Sequence, residues 1–149
     1  MAKLDFLNRE FPVLRDRLDF GDFHPDLSGN YVEVWLNLSD DFEVRVKEHQ
    51  QQYEAYERRR DTIVEALESG RLDDGKAEEL RQELTRRSEK MQQSTAEIYA
   101  ELWNCTEEEY RQLVTQDAAL TTWLIGTTWQ MIGDYRAGRK KAATSSSLG

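Results

Sequence analysis

The chain has 149 residues, which suits one domain, or one domain with a protruding helical arm. Its net charge of −9 argues against nucleic-acid binding through phosphate neutralisation. The single cysteine, Cys105, excludes an internal disulfide and is typical of a reducing, cytoplasmic compartment. The most apolar stretch, residues 118–132, is shorter than the about 20 residues that a membrane-spanning helix needs, so no membrane partner is expected.

Two segments near the N-terminus have the alternating pattern of β-strands. Every second residue of 31–38 is apolar, and residues 13–20 contain a candidate partner strand. The joining segment, residues 21–30, is rich in turn-forming residues. Because a two-stranded hairpin alone is marginal in water, we expect it to pack against helices or another subunit.

The longest feature is a predicted antiparallel helical hairpin in residues 42–104. Apolar and aromatic side chains recur at heptad spacing over residues 42–67 and again over residues 77–102. Residues 69–75 lie between the two stripes and predict a chain reversal. Four polar or charged residues interrupt the stripes: His49, Arg60, Ser88 and Thr95. We therefore expect the hairpin to be part of a larger packing arrangement.

Capping residues predict where these two helices begin and end. Ser39 is a good N-cap, and Gly70 suits the position just after a helix. The first helix is therefore expected over residues 40–68. The second is expected over residues 76–103.

Two further helices are predicted in the C-terminal part. Thr106 and Glu109 form a capping box before a short helix, and Asp117 can cap a last helix that runs to about residue 135. One stripe of this last helix contains Leu120, Trp123, Leu124, Thr127, Met131 and Tyr135. Three apolar residues lie off that stripe: Ile125, Trp129 and Ile132. A helix that is apolar on several faces lies centrally or meets a partner.

The predicted fold is mainly α with a small N-terminal β-hairpin, followed by a long antiparallel helical hairpin and C-terminal helices. Four segments follow from this pattern. They are an N-terminal β-hairpin region at 1–41, the helical hairpin at 42–104, the C-terminal helices at 105–137, and a disordered serine-rich tail at 138–149.

No motif indicates catalysis, a cofactor or a metal. His24 stands between Asp22 and Asp26, but the segment is a turn without a second histidine. His49 belongs to the helical stripe, where a packed neutral imidazole is expected. Because the histidines and Cys105 are scattered, no nucleophile lies beside a base, and the sequence predicts a protein that is not an enzyme.

The tryptophans are the candidate partner-binding residues. Trp35 lies on the mixed face of its strand, and Trp123 and Trp129 lie about 120° apart around the last helix. They cannot all enter one small core easily, and aromatic residues are favoured anchors at interfaces. The predicted partner-binding set is Trp35, Trp123, Leu124, Trp129 and Ile132.

Two short motifs carry a resemblance. A Gly-x-x-x-Pro turn at residues 21–25 precedes the strand at 31–35, and a Trp-Asn-x-Thr step at residues 103–106 precedes a late helix. With the short, acidic and mainly helical chain, they resemble the tail assembly chaperones of long, flexible-tailed phages. The Lys-Lys pair at residues 140–141 is similar to what a ribosomal frameshift site in that family encodes, just before the short product ends.

The resemblance implies a protein that coats the tape-measure protein, keeps it soluble and recruits tail-tube protein in the host-cell cytoplasm. It also implies homo-oligomers, and a mechanism without nucleotide hydrolysis in which apolar grooves hold a partner's apolar helices. Two alternatives stay open. One is a structural or scaffolding virion protein that self-assembles through helical packing. The other is an acidic inhibitor that mimics nucleic acid, which needs carboxylates aligned on one face.

Overall fold

In the computed structural model the protein is mainly α-helical with a small antiparallel β-hairpin near the N-terminus, as predicted. The structure describes residues 2–4 and 12–148, with side chains up to residue 138. Its strands and α-helices are β1 (Arg15–Asp19), β2 (Tyr31–Trp35), α1 (Asp40–Glu68), α2 (Asp74–Trp103), α3 (Glu107–Gln116) and α4 (Ala118–Leu148). Two 3-10 helices, Phe20–Asp22 and Pro25–Leu27, lie between the strands.

The chain divides into two compact units, and each is described by itself. Unit 1 consists of Met1–Leu38, Leu102–Asn104 and Leu113–Gly149, and unit 2 consists of Ser39–Glu101 and Cys105–Gln112. The four segments predicted from sequence divide the chain differently, because residues 105–137 are shared between the units. Periodicity marks individual helices, but it does not show which of them share a core.

In unit 1, β1 and β2 pair as an antiparallel hairpin. Apolar side chains alternate along β2, whereas Leu18 is the one apolar residue of β1. Arg15 lies opposite Trp35, and Leu18 lies opposite Val32. Leu18, Val32 and Val34 are buried on one face of the hairpin. The opposite face carries both aromatic residues and, apart from Asp16, the charged residues of the two strands.

The segment between the strands is held by side chains that cap its two 3-10 helices. The Asp19 carboxylate accepts a hydrogen bond from the Gly21 N–H at 2.7 Å, and His24 Nδ1 accepts one from the Asp26 N–H at 3.1 Å. Gly29 has a φ of 89°, which glycine adopts without strain. His24 therefore serves the turn as a cap.

In unit 2, the ends of α1 agree with their sequence signals. Ser39 Oγ accepts a hydrogen bond from the Phe42 N–H at 3.2 Å. The helix ends at Glu68, and Gly70 follows with a φ of 67°. The carboxylate of Asp73 then accepts a hydrogen bond from the Lys76 N–H at 2.8 Å, so α2 begins two residues earlier than predicted.

Three side-chain contacts show that α1 and α2 are antiparallel. Along α1, Arg45 contacts Glu101, His49 contacts Ser94, and Arg59 contacts Glu83. Later residues of α1 thus meet earlier residues of α2. The buried stripe residues of unit 2 are Phe42 and Ile63 on α1 and Met91 and Ile98 on α2. The positions between them are mostly half-buried.

The predicted caps of α3 and α4 are present. The Thr106 N–H donates to the Glu109 carboxylate and the Glu109 N–H donates to Thr106 Oγ1, both at 3.0 Å, which is the reciprocal capping box. The Asp117 carboxylate accepts a hydrogen bond from the Ala119 N–H at 2.7 Å at the start of α4. Side chains at the two helix starts therefore satisfy backbone donors that the helices leave unpaired.

The buried face of α4 differs from the predicted stripe. The buried residues recur every four positions, at Leu120, Leu124, Thr128 and Ile132. Trp123, Thr127 and Met131, which the sequence places on the stripe, are only half-buried. The helix is apolar on several faces, so its pattern did not single out the face that enters the core.

The last helix is also longer than the sequence pattern predicts. Helix α4 continues to Leu148 instead of ending near residue 135. No proline interrupts this stretch, and extending an existing helix costs far less than starting one. Gly149 lies outside the described residues.

Candidate functional site

Two of the five predicted partner-binding residues belong to the interior. Leu124 is 0% exposed and Ile132 is 1% exposed. They lie eight residues apart on the buried face of α4, together with Thr128 between them. The prediction that Leu124 and Ile132 contact a partner is therefore corrected, because both side chains are buried inside the chain itself.

The other three predicted residues, Trp35, Trp123 and Trp129, are half-buried. The structure does not bring them all to one face. Trp123 and Trp129 lie about 120° apart around α4, as helical geometry requires. Trp35 is fixed at the end of β2, where its Nε1 donates to Asn37 Oδ1 at 3.0 Å.

The fourth tryptophan, Trp103, is structural. It is 1% exposed, and its Nε1 donates a hydrogen bond of 2.9 Å to Thr128 Oγ1, which is itself 0% exposed. A buried indole N–H needs such an acceptor. This bond within unit 1 joins the last turn of α2 to α4.

The neighbouring residue, Asn104, joins the same turn to the β-hairpin. Its Nδ2 donates to the Glu33 carboxylate at 3.1 Å, and its φ of 53° is left-handed. Arg15 adds hydrogen bonds from Nη1 to the carbonyls of Glu33 at 2.9 Å and Leu102 at 3.2 Å. The Trp-Asn step that carries part of the resemblance therefore holds the parts of unit 1 together.

An aromatic pair in unit 1 includes a residue that the sequence analysis did not select. The rings of Phe23 and Trp123 lie 5.6 Å apart and are tilted by 40°, and both side chains are half-buried. We call these two residues the aromatic patch. Phe23 comes directly after the first 3-10 helix, and it lies between Asp22 and Asp26, both of which are exposed. Phe23 falls within the Gly-x-x-x-Pro motif, the only local signal that could have identified it.

Unit 2 contains a groove between α1 and α2, which we call the hairpin groove. Its volume is about 480 Å³. The α1 wall includes Tyr56, Arg60 and Val64, and the α2 wall includes Leu84, Ser88 and Glu89. Val64 is 37% exposed, and Tyr53 on the same side of α1 is 41% exposed. The groove thus leaves apolar surface of the hairpin uncovered.

His49 lies between two hydroxyls of α2, and its contacts fit a neutral imidazole that is protonated on Nε2. Thr95 Oγ1 uses its hydrogen in a 2.8 Å bond to the Met91 carbonyl, so it accepts from His49 Nε2–H at 3.2 Å. In the neutral ring, His49 Nδ1 accepts from the Ser94 hydroxyl at 2.9 Å. Burial lowers the pKa of His49. The imidazole is a packed polar contact of the hairpin.

The surroundings of Cys105 do not activate its thiol. Burial raises the pKa of Cys105, and the negative charge of the nearby Glu109 carboxylate raises it further by a smaller amount. Burial, and then Tyr99 and Cys105, raise the pKa of Tyr110 to about 12. A thiol needs a lowered pKa to act as a nucleophile, so the described side chains around Cys105 favour the protonated form.

Arginines pair with the hairpin's carboxylates at several positions. Arg59 binds the Glu83 carboxylate through Nε at 2.6 Å and Nη2 at 2.9 Å, and Arg87 adds a contact of 3.0 Å. The hydrogen bond from Arg59, together with the smaller effect of Arg87, lowers the pKa of Glu83 to about 2. Arg45 and Glu101 form another pair at 2.7 Å. This mixture of signs disfavours a nucleic-acid mimic, which needs a row of unpaired carboxylates.

In residues 2–4 and 12–148, no three His, Cys, Asp or Glu side chains lie together in a way that could hold a metal ion. Among the helices of that same part of the chain, none has both the length and the apolar character to cross a membrane.

In comparisons with protein-family models, curated proteins and solved structures, nothing matches the chain.

Proposed function

We propose that this protein is a phage tail assembly chaperone, which acts in the host-cell cytoplasm by binding and not by catalysis. Its role is to hold helical segments of the tape-measure protein, keep them soluble and help recruit tail-tube subunits. The sequence resemblance supports this reading. The structural observation that carries it is the aromatic patch, Phe23 and Trp123, beside exposed carboxylates in unit 1.

The chemistry of the patch fits one kind of partner. Aromatic side chains are enriched among the few residues that carry most of the binding energy at protein interfaces, and half-buried rings are already partly ordered. Asp22 and Asp26 are exposed on either side of Phe23. An amphipathic helix with lysine or arginine next to its apolar stripe would place that stripe on the rings and its cations near the two carboxylates.

Co-expression with the tape-measure protein tests the proposal. We expect the full chain to raise the soluble yield of that protein and to be captured with it. Trp123→Ala and Trp129→Ala should each reduce capture at least about tenfold, since one good aromatic anchor contributes 2 kcal/mol or more. Because both side chains are half-buried, the melting temperature should change much less than the capture does.

Trp103→Phe provides the folding control. Trp103 is inside unit 1, so its replacement should lower the melting temperature and reduce capture only in proportion to lost folding. Unchanged capture by the Trp123 and Trp129 variants, with a fall in melting temperature like that of the control, would reverse the assignment.

A second candidate function is a structural or scaffolding virion protein that self-assembles. The hairpin groove favours it, because apolar surface on α1 and α2 remains uncovered. Light scattering on the purified chain separates the two functions. A large ring or filament formed without any partner supports the structural role, whereas a small particle that enlarges only with the tape-measure protein supports the chaperone.

A further inference from the structure

We infer that Gly21 is a positioning residue of the aromatic patch. The space left by its missing side chain lets Ser28 pack against the turn, and this close contact holds the Phe23 ring beside Trp123 before any partner arrives. The inference rests on the proposed function, because it takes the patch as the binding surface, and it adds how that surface is built.

The first argument is that no larger residue fits at position 21. A Cβ added to Gly21 would lie 2.6 Å from Ser28 Oγ and 2.8 Å from Asp19 Oδ1. It would also lie 3.1 Å from Ser28 Cα, which belongs to the backbone and cannot rotate away. Asp19 Oδ1 is held in place as well, since it accepts a hydrogen bond from the Gly21 N–H at 2.7 Å. Glycine is the residue that allows such a close approach to a neighbouring backbone segment.

The second argument is that Ser28 is fixed by the hydrogen bonds around it. The Ser28 N–H donates to the Pro25 carbonyl at 3.1 Å, and the Leu27 N–H donates to the His24 carbonyl at 3.0 Å. Asn30 then donates to the Leu27 carbonyl from both its N–H and its Nδ2, each at 3.1 Å. Because Ser28 moves only together with this bonded segment, a methyl group at position 21 must displace the turn itself.

The third argument is that Phe23 is attached to the part of the turn that would move. Phe20 is 8% exposed, and its N–H donates to the Asn30 carbonyl at 2.8 Å, so the start of the turn is fixed. The Phe23 N–H donates to the Phe20 carbonyl at 3.0 Å across the residues that include Gly21. Trp123 lies in α4 and does not depend on the turn. The 5.6 Å spacing of the two rings is therefore set by the shape of the turn.

A patch that is already formed binds a partner at lower cost, because its side chains lose less conformational freedom on binding. Displacing Phe23 should therefore weaken binding while both rings stay present. We expect a smaller loss than Trp123→Ala causes, since no aromatic anchor is removed.

Two measurements on the full chain test the inference: fluorine NMR of a chain labelled with fluorotryptophan, and capture of the co-expressed tape-measure protein. In Gly21→Ala the Trp123 resonance, which Trp123→Phe identifies, should shift, and capture should fall about threefold to tenfold. Gly133→Ala is the matched control, because Gly133 is also in unit 1 and an added Cβ there meets no atom within 4 Å. It should change neither readout.

A second substitution separates positioning from a general loss of stability. Ser28→Ala in the Gly21→Ala chain removes Oγ, the atom nearest to the new methyl group, so both readouts should return part of the way to their wild-type values. The Trp103 resonance reports whether unit 1 is folded, because Trp103 is 1% exposed.

The inference is overturned if the Trp123 resonance of Gly21→Ala stays in place, or if Ser28→Ala fails to move it back. Loss of the Trp103 resonance in Gly21→Ala also overturns it, because glycine would then be needed for folding as a whole. If the wild-type chain captures no tape-measure protein while the Trp123 resonance responds as expected, the proposed function fails and the positioning role of Gly21 stands.

Discussion

The buried hydrogen bond between Trp103 and Thr128 should make a measurable contribution to the stability of unit 1. Thr128→Val keeps the shape of the side chain and removes the acceptor of the indole N–H. A buried donor that loses its partner costs about 1–3 kcal/mol, and the more apolar valine offsets about 0.5–1 kcal/mol of that. We expect a net destabilisation of about 1–2 kcal/mol, or a fall in melting temperature of about 3–6 °C.

Thr122→Val is the matched control for this prediction. Thr122 is also in α4, but it is exposed and its hydroxyl donates to the Ala118 carbonyl of its own helix. Its replacement should change the free energy of unfolding by less than about 0.5 kcal/mol. Urea unfolding followed by tryptophan fluorescence measures both variants.

A double-mutant cycle isolates the bond itself. In a Trp103→Phe background the indole donor is absent, so Thr128→Val should cost about 1 kcal/mol less than it does in the wild-type chain. The reasoning fails if Thr128→Val is no more harmful than Thr122→Val. It also fails if the cost is the same in both backgrounds.

Three further predictions concern pH and glycine. The pKa of Glu83 is lowered to about 2 in the folded chain, so Glu83→Gln should lower the melting temperature at neutral pH. The difference in melting temperature between the wild-type chain and this variant should shrink as pH falls from about 4 toward 2. Burial lowers the pKa of His49 in the folded chain, so on acidification the unfolded chain binds a proton at this residue before the folded chain does. Stability should therefore fall as pH drops below about 6.5, and it should fall less in His49→Gln. Thermal scans at each pH measure this difference. Urea unfolding should show changes of opposite sign in the free energy of unfolding when two glycines are replaced. Gly70→Ala should destabilise the chain by about 1 kcal/mol, because Gly70 has a φ of 67°. Gly126→Ala should stabilise it by up to about 1 kcal/mol, because Gly126 lies inside α4 with open space around an added Cβ.

The sequence was sufficient to predict much of the local structure. Ser39, Gly70 and the Thr106–Glu109 capping box each act through neighbours only a few residues away, so their effects can be recognised from short patterns. The bounds of α1 agree with the prediction for the same reason. Strand alternation likewise identified the buried face of β2.

The candidate sites were harder to predict because they depend on contacts between distant parts of the chain. Phe23 and Trp123 come from a turn and a late helix, and no local pattern joins them. Leu124 and Ile132 were wrongly placed on a partner surface because an all-round apolar helix does not indicate which face is covered. The bond from Trp103 to Thr128, which helps to decide that face, is also long-range.

Polar contacts between α1 and α2 fix the register of the hairpin. Apolar residues at heptad spacing fit equally well when one helix slides by seven residues, which is about 10 Å. His49 meets Ser94 in one register, and the two-point bond from Arg59 to Glu83 requires the same one. A sliding step would break both contacts together and leave polar groups without partners.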